Sequence, residues 1–294
     1  MSDWNLQDLE DWDEKICNIA KSHGLDWYPI TYETCDYYEM IGNMSYHGMP
    51  THYGHWSYGK SFEIQHGQYN AGATGLPYEL IINSDPCISY LMRENPIYLQ
   101  ILIMAHCVGH SDFFKNNRQF KFTRADTVVP RMRNAKKRIQ KYIEDPSIGI
   151  DRVEAYIDAA HSLSFQIPRY PVDYEDLQSA HEKLKLENKN DPDFDPDQIP
   201  ASPEYDLLGF FEAFGDHREQ WQKDVLSIIR DEAHYFMPQI RTKIMNEGWA
   251  CFWHYKILHE LNLPQQYHIP FLKSHNQVVR PHIGRINPYH LGFH

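Results

Sequence analysis

The chain has no paired-cysteine motif, no excess of basic charge and no apolar run long enough to cross a bilayer. Its five cysteines (Cys17, Cys35, Cys87, Cys107 and Cys251) are odd in number, scattered and never spaced as CxxC. That excludes a disulfide scaffold and suits free thiols in a reducing cytoplasm. Lys and Arg number 28 against 40 Asp and Glu, a formal net charge of -12. Such a balance argues against nucleic acid or an anionic membrane as the main partner. The longest apolar run, residues 97–108, falls short of the roughly 20 residues that a helical span needs. The first residues, MSDWNLQDLEDWDEK, are acidic where a secretory signal is basic, so no leader is expected.

What is abundant is apolar, aromatic and imidazole. The 294 residues are 42% hydrophobic and 14% aromatic, and they include 18 histidines. This is the composition of a globular chain with a sizeable core. So many histidines also make a metal site easier to assemble.

Periodicity predicts a mainly α-helical fold with a small β element. Residues 3–23 read as an amphipathic helix with Leu9, Trp12, Ile16 and Ile19 on its stripe, closed by Gly24. A second helix is expected over 31–46. Residues 47–62, HGMPTHYGHWSYGKSF, read as a shaped loop rich in Gly, Pro and aromatics. There His52, His55 and Lys60 either line the entrance to a pocket or serve the loop's own backbone. PYELIIN, residues 77–83, is the best strand. Glu79 within it is expected to be solvated unless the strand is buried on both faces. A short helix is expected in DPCISYLMREN. Asn95-Pro96 then opens a helix running to about Lys115. Gly109 inside that helix suggests close approach of another backbone or a ligand.

Further helices are expected over 131–145, with a solvated basic face, and over 150–165. The acidic, Pro-rich stretch 171–204 reads as an insertion or linker between two helical blocks, 1–170 and 205–294, that pack as one domain. In the second block Trp221, Val225, Ile228, Glu232 and Tyr235 share one face. A new helix is expected at Met237-Pro238, running to about Leu263, with Glu247, His254 and Leu258 on a common face. The tail, 264–294, has no clear periodicity.

Several ionisable residues interrupt apolar stripes. His106 and His110 lie one turn apart in ILIMAHCVGH; Glu232, Glu247 and His254 do the same on later helices. Buried charges must be paired or bind a metal, and the common solution is a site where these helices meet. A hydrogen-bonded network is the alternative. Two imidazoles and a carboxylate form a catalytic zinc set, and a set richer in oxygen suits iron or manganese. His106, His110 and Glu247 are therefore the expected ligands. His254 is the expected fourth ligand or oxyanion stabiliser, and Glu232 or Asp112 the expected base or supporting group. Zinc there would lower the pKa of a bound water toward about 7.

His106-x-x-x-His110 followed by Asn246-Glu247 resembles a gluzincin metallopeptidase over those few positions. The resemblance departs at Cys107, where a gluzincin carries its Glu base. A broader resemblance rests on GMPTHYGHWSYGKSFE, GLPYELIINSDPCISYLMREN, AHCVGHSDFFKNN, YFMPQIRTKIMNEGWACFWH and INPYHLGF. Together these strings resemble the SpoVR (stage V sporulation protein R) family. That resemblance implies a cytoplasmic bacterial protein tied to spore cortex formation or stress physiology. It also implies association with a PrkA-type serine protein kinase and a von Willebrand A-like protein. The family carries no settled reaction. Two function classes follow: a metal-dependent amide hydrolase, or a non-catalytic regulatory or scaffold protein working with the kinase. Members of the family run on past NPYHLGF, so the chain resembles their N-terminal domain.

Overall fold

The structure is a computed structural model that describes residues 3–71, 79–168, 174–189, 195, 206–215 and 218–294. Half of the expected insertion at 171–204 therefore lies outside the described residues, and the described half contains the helix Tyr174–Glu187. Among those described there are eleven α-helices and one three-stranded sheet, a mainly α fold with a small β element.

The elements in chain order are α1 (Leu6–Ser22), β1 (Ile30–Cys35), α2 (Tyr37–Ser45), α3 (Trp56–Asn70), β2 (Glu79–Ile82), β3 (Cys87–Met92) and α4 (Ile97–Asn116). There follow α5 (Val128–Glu144), α6 (Ile150–Ser162), α7 (Tyr174–Glu187), α8 (Leu207–Phe214), α9 (Gln220–Glu260), α10 (Gln265–Val279) and α11 (Pro288–Phe293). The chain divides into two compact units. One comprises residues 1–134 and 239–294, the other residues 135–238.

In the first unit the strand order is β1-β3-β2. β1 runs parallel to β3, and β2 runs antiparallel to it with Glu79 opposite Leu91. Two stretches expected to be helical are strands. In Ile30–Cys35 the β-branched and aromatic side chains of Thr31, Tyr32 and Thr34 suit a pleated surface. The helix starts only at Tyr37, where Asp36 and Glu39 form a reciprocal capping box. Cys87–Met92 occupies the middle of the sheet and pairs on both edges. The resulting ladders outweigh any helical leaning of CISYLM.

α4 is the centre of this unit. Every residue from Leu99 to Asp112 is buried, the state of a helix that is apolar on all sides. It packs with Ile16 and Ala20 of α1, Leu91 of β3, Trp253 and Ile257 of α9, and Phe271 of α10. Gly109 is where the α9 backbone comes close: a Cβ there would lie 2.8 Å from Ala250 Cα.

In the second unit, Ile139, Val153, Ile157 and Val225 are fully buried. Asp224 accepts from Arg138 Nε at 2.9 Å and from the Tyr142 hydroxyl at 2.7 Å. Trp221, Val225, Ile228, Glu232 and Tyr235 are all buried, as their spacing predicts. The helix expected to begin at 237 does not begin there, because α9 runs unbroken through Pro238. Proline removes one N–H from a helix and crowds one carbonyl, and here that does not end the run. The tail, which lacks helical periodicity, nonetheless contains α10 and α11.

Candidate metal centre

Four ionisable side chains from three elements of the first unit converge: Glu79 at the start of β2, His106 and His110 on α4, and Glu247 on α9. The i, i+4 spacing on α4 sets both imidazoles on one face, with ring centroids 4.6 Å apart. Glu79 Oε1 lies 3.0 Å from His106 Nε2 and 3.5 Å from His110 Nε2. Glu247 Oε2 lies 3.8 Å and 3.5 Å from the same two nitrogens. Donors held about 2.1 Å from a tetrahedral ion sit roughly 3.4 Å from one another, and the observed separations bracket that value. His106 Nε2 and Glu247 Oε2 are sealed from solvent and make no hydrogen bond. A buried polar atom that makes no hydrogen bond is costly, and here two such atoms lie 3.8 Å apart.

The atoms behind the imidazoles fix their orientation. His110 Nδ1 is 2.9 Å from Asn246 Oδ1, so Nδ1–H donates to the amide oxygen, and Nε2 offers its lone pair to the centre when the imidazole is neutral. His106 Nδ1 is 2.7 Å from His254 Nδ1, and His254 Nε2 is 2.8 Å from His275 Nδ1. When His106 offers a lone pair at Nε2, the three rings form a chain that donates outward from the centre. Supports of this kind set ligand tautomer and basicity in metal sites.

Charge is balanced in either of two ways. Burial opposes charge on His106, yet the charge of Glu79, then Cys251 and Glu247, raises its pKa well above the usual value. Burial is likewise outweighed at His110 by Glu247 and Glu79, to about 9. Burial would raise both carboxylates, but the charge of His106 brings Glu79 down to about 2. His106 and His110 hold Glu247 well below the carboxylate range. Two imidazolium ions and two carboxylates sum to zero, as do one divalent cation, two neutral imidazoles and two carboxylates. His254, by contrast, is driven well below the usual range by burial and then by the charge of His106. His275 is lowered to about 4 by burial and neighbouring histidines.

The structure therefore brings His106, His110 and Glu247 together. It adds Glu79, which the sequence left as a solvated strand residue, and Asn246 and His275, which nothing in the periodicity singled out. The signal for Glu79 was its place among Leu80, Ile81 and Ile82, a strand with too few polar positions to have a solvated face. His254 sits behind His106, where Cys251 also lies close to both rings. Glu232 lies in the second unit and is not among the four converging residues. Asp112 is buried and occupied, accepting from Trp249 Nε1 and from the backbone N–H of Asp26, each at 2.9 Å. His52 packs among Tyr46, Tyr53 and Tyr58. His55 caps α3 by accepting from the Ser57 N–H. Lys60 is exposed, 5.5 Å from the Trp56 ring centroid.

No helix among the described residues is long and apolar enough to cross a membrane. No solved structure matches the chain. It is 36% identical to the uncharacterized protein YcgB of Escherichia coli (strain K12), over 99% of this chain and 63% of that protein. The chain thus spans less than two thirds of that relative's length. The family model described as "SpoVR like protein" matches residues 3–294. That span takes in Glu79, His106, His110 and Glu247, together with the helices that carry them, and the chain belongs to the SpoVR family.

Proposed function

We propose that this chain is the metal-dependent hydrolase portion of a cytoplasmic SpoVR-family protein, acting on an amide bond in a peptide or peptidoglycan-related substrate. The observation that supports the reading is the convergence of four potential ligand atoms, two of which, His106 Nε2 and Glu247 Oε2, are sealed from solvent and make no hydrogen bond. His106, His110 and Glu247 hold a divalent ion, zinc by preference, with iron or manganese the alternatives that the oxygen ligands allow. Such an ion supplies Lewis acidity and an acidified water. Glu79 is the proton acceptor. Its side chain keeps 17% of its surface exposed, and it approaches both imidazoles from a strand. It thereby supplies from β2 the carboxylate that Cys107 does not supply from α4. Cys107 is buried against Ser89, 3.2 Å from its hydroxyl.

A second reading has one observation in its favour. The four residues also balance in charge as a metal-free ion-pair network, and Glu79 as a fourth ligand would close the ion off from substrate. The protein would then be a non-catalytic regulator or scaffold partnering a PrkA-type kinase and a von Willebrand A-like protein. Glu79→Gln separates the two. A base leaves zinc affinity within about twofold and abolishes hydrolysis of a peptide and muramyl-peptide panel. A fourth ligand drops zinc affinity about tenfold or more. Purified protein without transition metal, unchanged by His106→Ala or Glu247→Ala, would overturn the metal reading itself.

A further inference from the structure

The motif INPYHLGFH takes no part in the centre as described, yet the fold packs it beside that centre. Asn287 is buried and clamps the turn before α11. Its Nδ2 donates to Val278 O at 2.7 Å and Arg280 O at 2.8 Å, while its Oδ1 accepts from the Tyr289 N–H at 3.0 Å. α11 then lies directly on α9. A Cβ on Gly248 would collide with the carbonyl carbon of Gly292, and one on Gly292 would collide with Ile244 O. Only two glycines permit that contact, and Gly248 is the neighbour of Glu247.

The side chain that this arrangement fixes at the centre is Tyr289. Its ring centroid is 6.5 Å from that of His106. Among the described residues its hydroxyl makes no hydrogen bond. Burial, then the charges of Glu247 and Glu79, keep the phenol protonated. A half-buried, neutral O–H without a partner is an available donor, and a helix pinned at both ends for one such residue calls for an acceptor.

We propose that Tyr289 is a catalytic residue of this centre, its hydroxyl donating a hydrogen bond to the oxyanion that develops on a substrate carbonyl. The assignment rests on the hydrolase reading above. Water adds to the carbonyl carbon, its proton passes to the Glu79 carboxylate, and the C=O π pair moves onto the oxygen that Tyr289 meets. Collapse restores the carbonyl and breaks the C–N bond, and the proton on Glu79 goes to the departing nitrogen. Tyr289 itself is neither protonated nor deprotonated. Donors placed where charge develops contribute strongly to catalysis because they are already oriented.

The test uses methylphosphonate, a tetrahedral anion, titrated into the cobalt-loaded protein and read by the visible cobalt absorption. Tyr289→Phe keeps the ring and its packing. It is expected to keep full cobalt uptake and affinity, yet bind methylphosphonate roughly 10- to 100-fold more weakly, the effect of one hydrogen bond to a charged group. Equal methylphosphonate affinity in the two proteins overturns the assignment, as does loss of cobalt from the variant, which would make Tyr289 a support of the metal. A wild-type protein that takes up no cobalt overturns the metal reading first and this assignment with it.

Discussion

Gly109→Ala tests whether the crossing of α4 and α9 sets the geometry of the centre. The new methyl would lie 2.8 Å from Ala250 Cα, so the helices must part by about 0.6 Å to reach an ordinary 3.4 Å contact. His110 is the next residue on one helix, and Glu247 is one turn before Ala250 on the other. The separation therefore falls directly on the 3.5 Å spacing between His110 Nε2 and Glu247 Oε2. Metal–ligand distances tolerate changes of only about 0.2 Å. Overpacking costs about 1–3 kcal/mol, and replacing a mid-helix glycine returns about 1 kcal/mol. The net effect on the metal-free fold is a loss of roughly 0–2 kcal/mol. Zinc affinity, measured by competition with a chromogenic chelator, should fall about 10- to 100-fold, the scale for disturbed ligand support. Gly59→Ala on α3 is the control, since a Cβ there meets nothing within 4 Å and should stabilise by up to about 1 kcal/mol. A Gly109→Ala protein that melts higher than wild type, as the control should, and binds zinc equally well would refute the reasoning.

Two further perturbations address the groups behind and within the centre. Asn246→Ala removes the oxygen that accepts from His110 Nδ1–H; zinc affinity should drop about tenfold with little change in far-UV circular dichroism, and an unchanged affinity would show that the amide does not orient the ring. The ion-pair contribution of His110 and Glu79 to the metal-free protein should be greatest at mildly acidic pH. The raised pKa of His110, about 9, gives stability that is complete below its ordinary value and lost as pH rises through 9. The lowered pKa of Glu79, about 2, gives stability present above its ordinary value and lost as pH falls toward 2. Metal binding needs deprotonated imidazoles and so works in the opposite direction across neutral to alkaline pH. The gap in melting temperature between zinc-loaded and chelator-treated protein should widen from pH 6 to pH 9, and a constant gap would contradict the exchange of two protons for one cation.

The parts of this fold legible in the sequence are those where one helix carries its own signal. ILIMAHCVGH announced a buried helix because apolar residues surround both histidines, and the stripe of Glu247, His254 and Leu258 announced a second. What stayed hidden depends on partners distant in sequence. Cys87–Met92 is a strand because β1 and β2 flank it, and neither neighbour is visible from within CISYLM. Glu79 belongs to the centre because α4 crosses its strand, a tertiary fact whose one local trace is the apolar run of Leu80, Ile81 and Ile82. Tyr289 sits in a tail with no period, held by an Asn287 clamp and a glycine–glycine contact rather than by an apolar stripe. Gly109 was the exception among long-range features, since a glycine inside so apolar a helix pointed to the close approach that Ala250 makes.

The first unit is assembled from two separated stretches of chain, and this orders events in time. His106 and His254, 2.7 Å apart through their Nδ1 atoms, are separated by 148 positions. A ribosome adding 5–20 residues per second needs roughly 10–40 s to pass from His110 to Gly292. Until Glu247 is added, three of the four converging side chains, Glu79, His106 and His110, lie on the nascent chain without their α9 counterpart. The centre therefore closes only once Glu247 has joined the three side chains that precede it in the chain. Lesions in residues 239–294 should therefore disturb the centre as strongly as lesions at the histidines themselves.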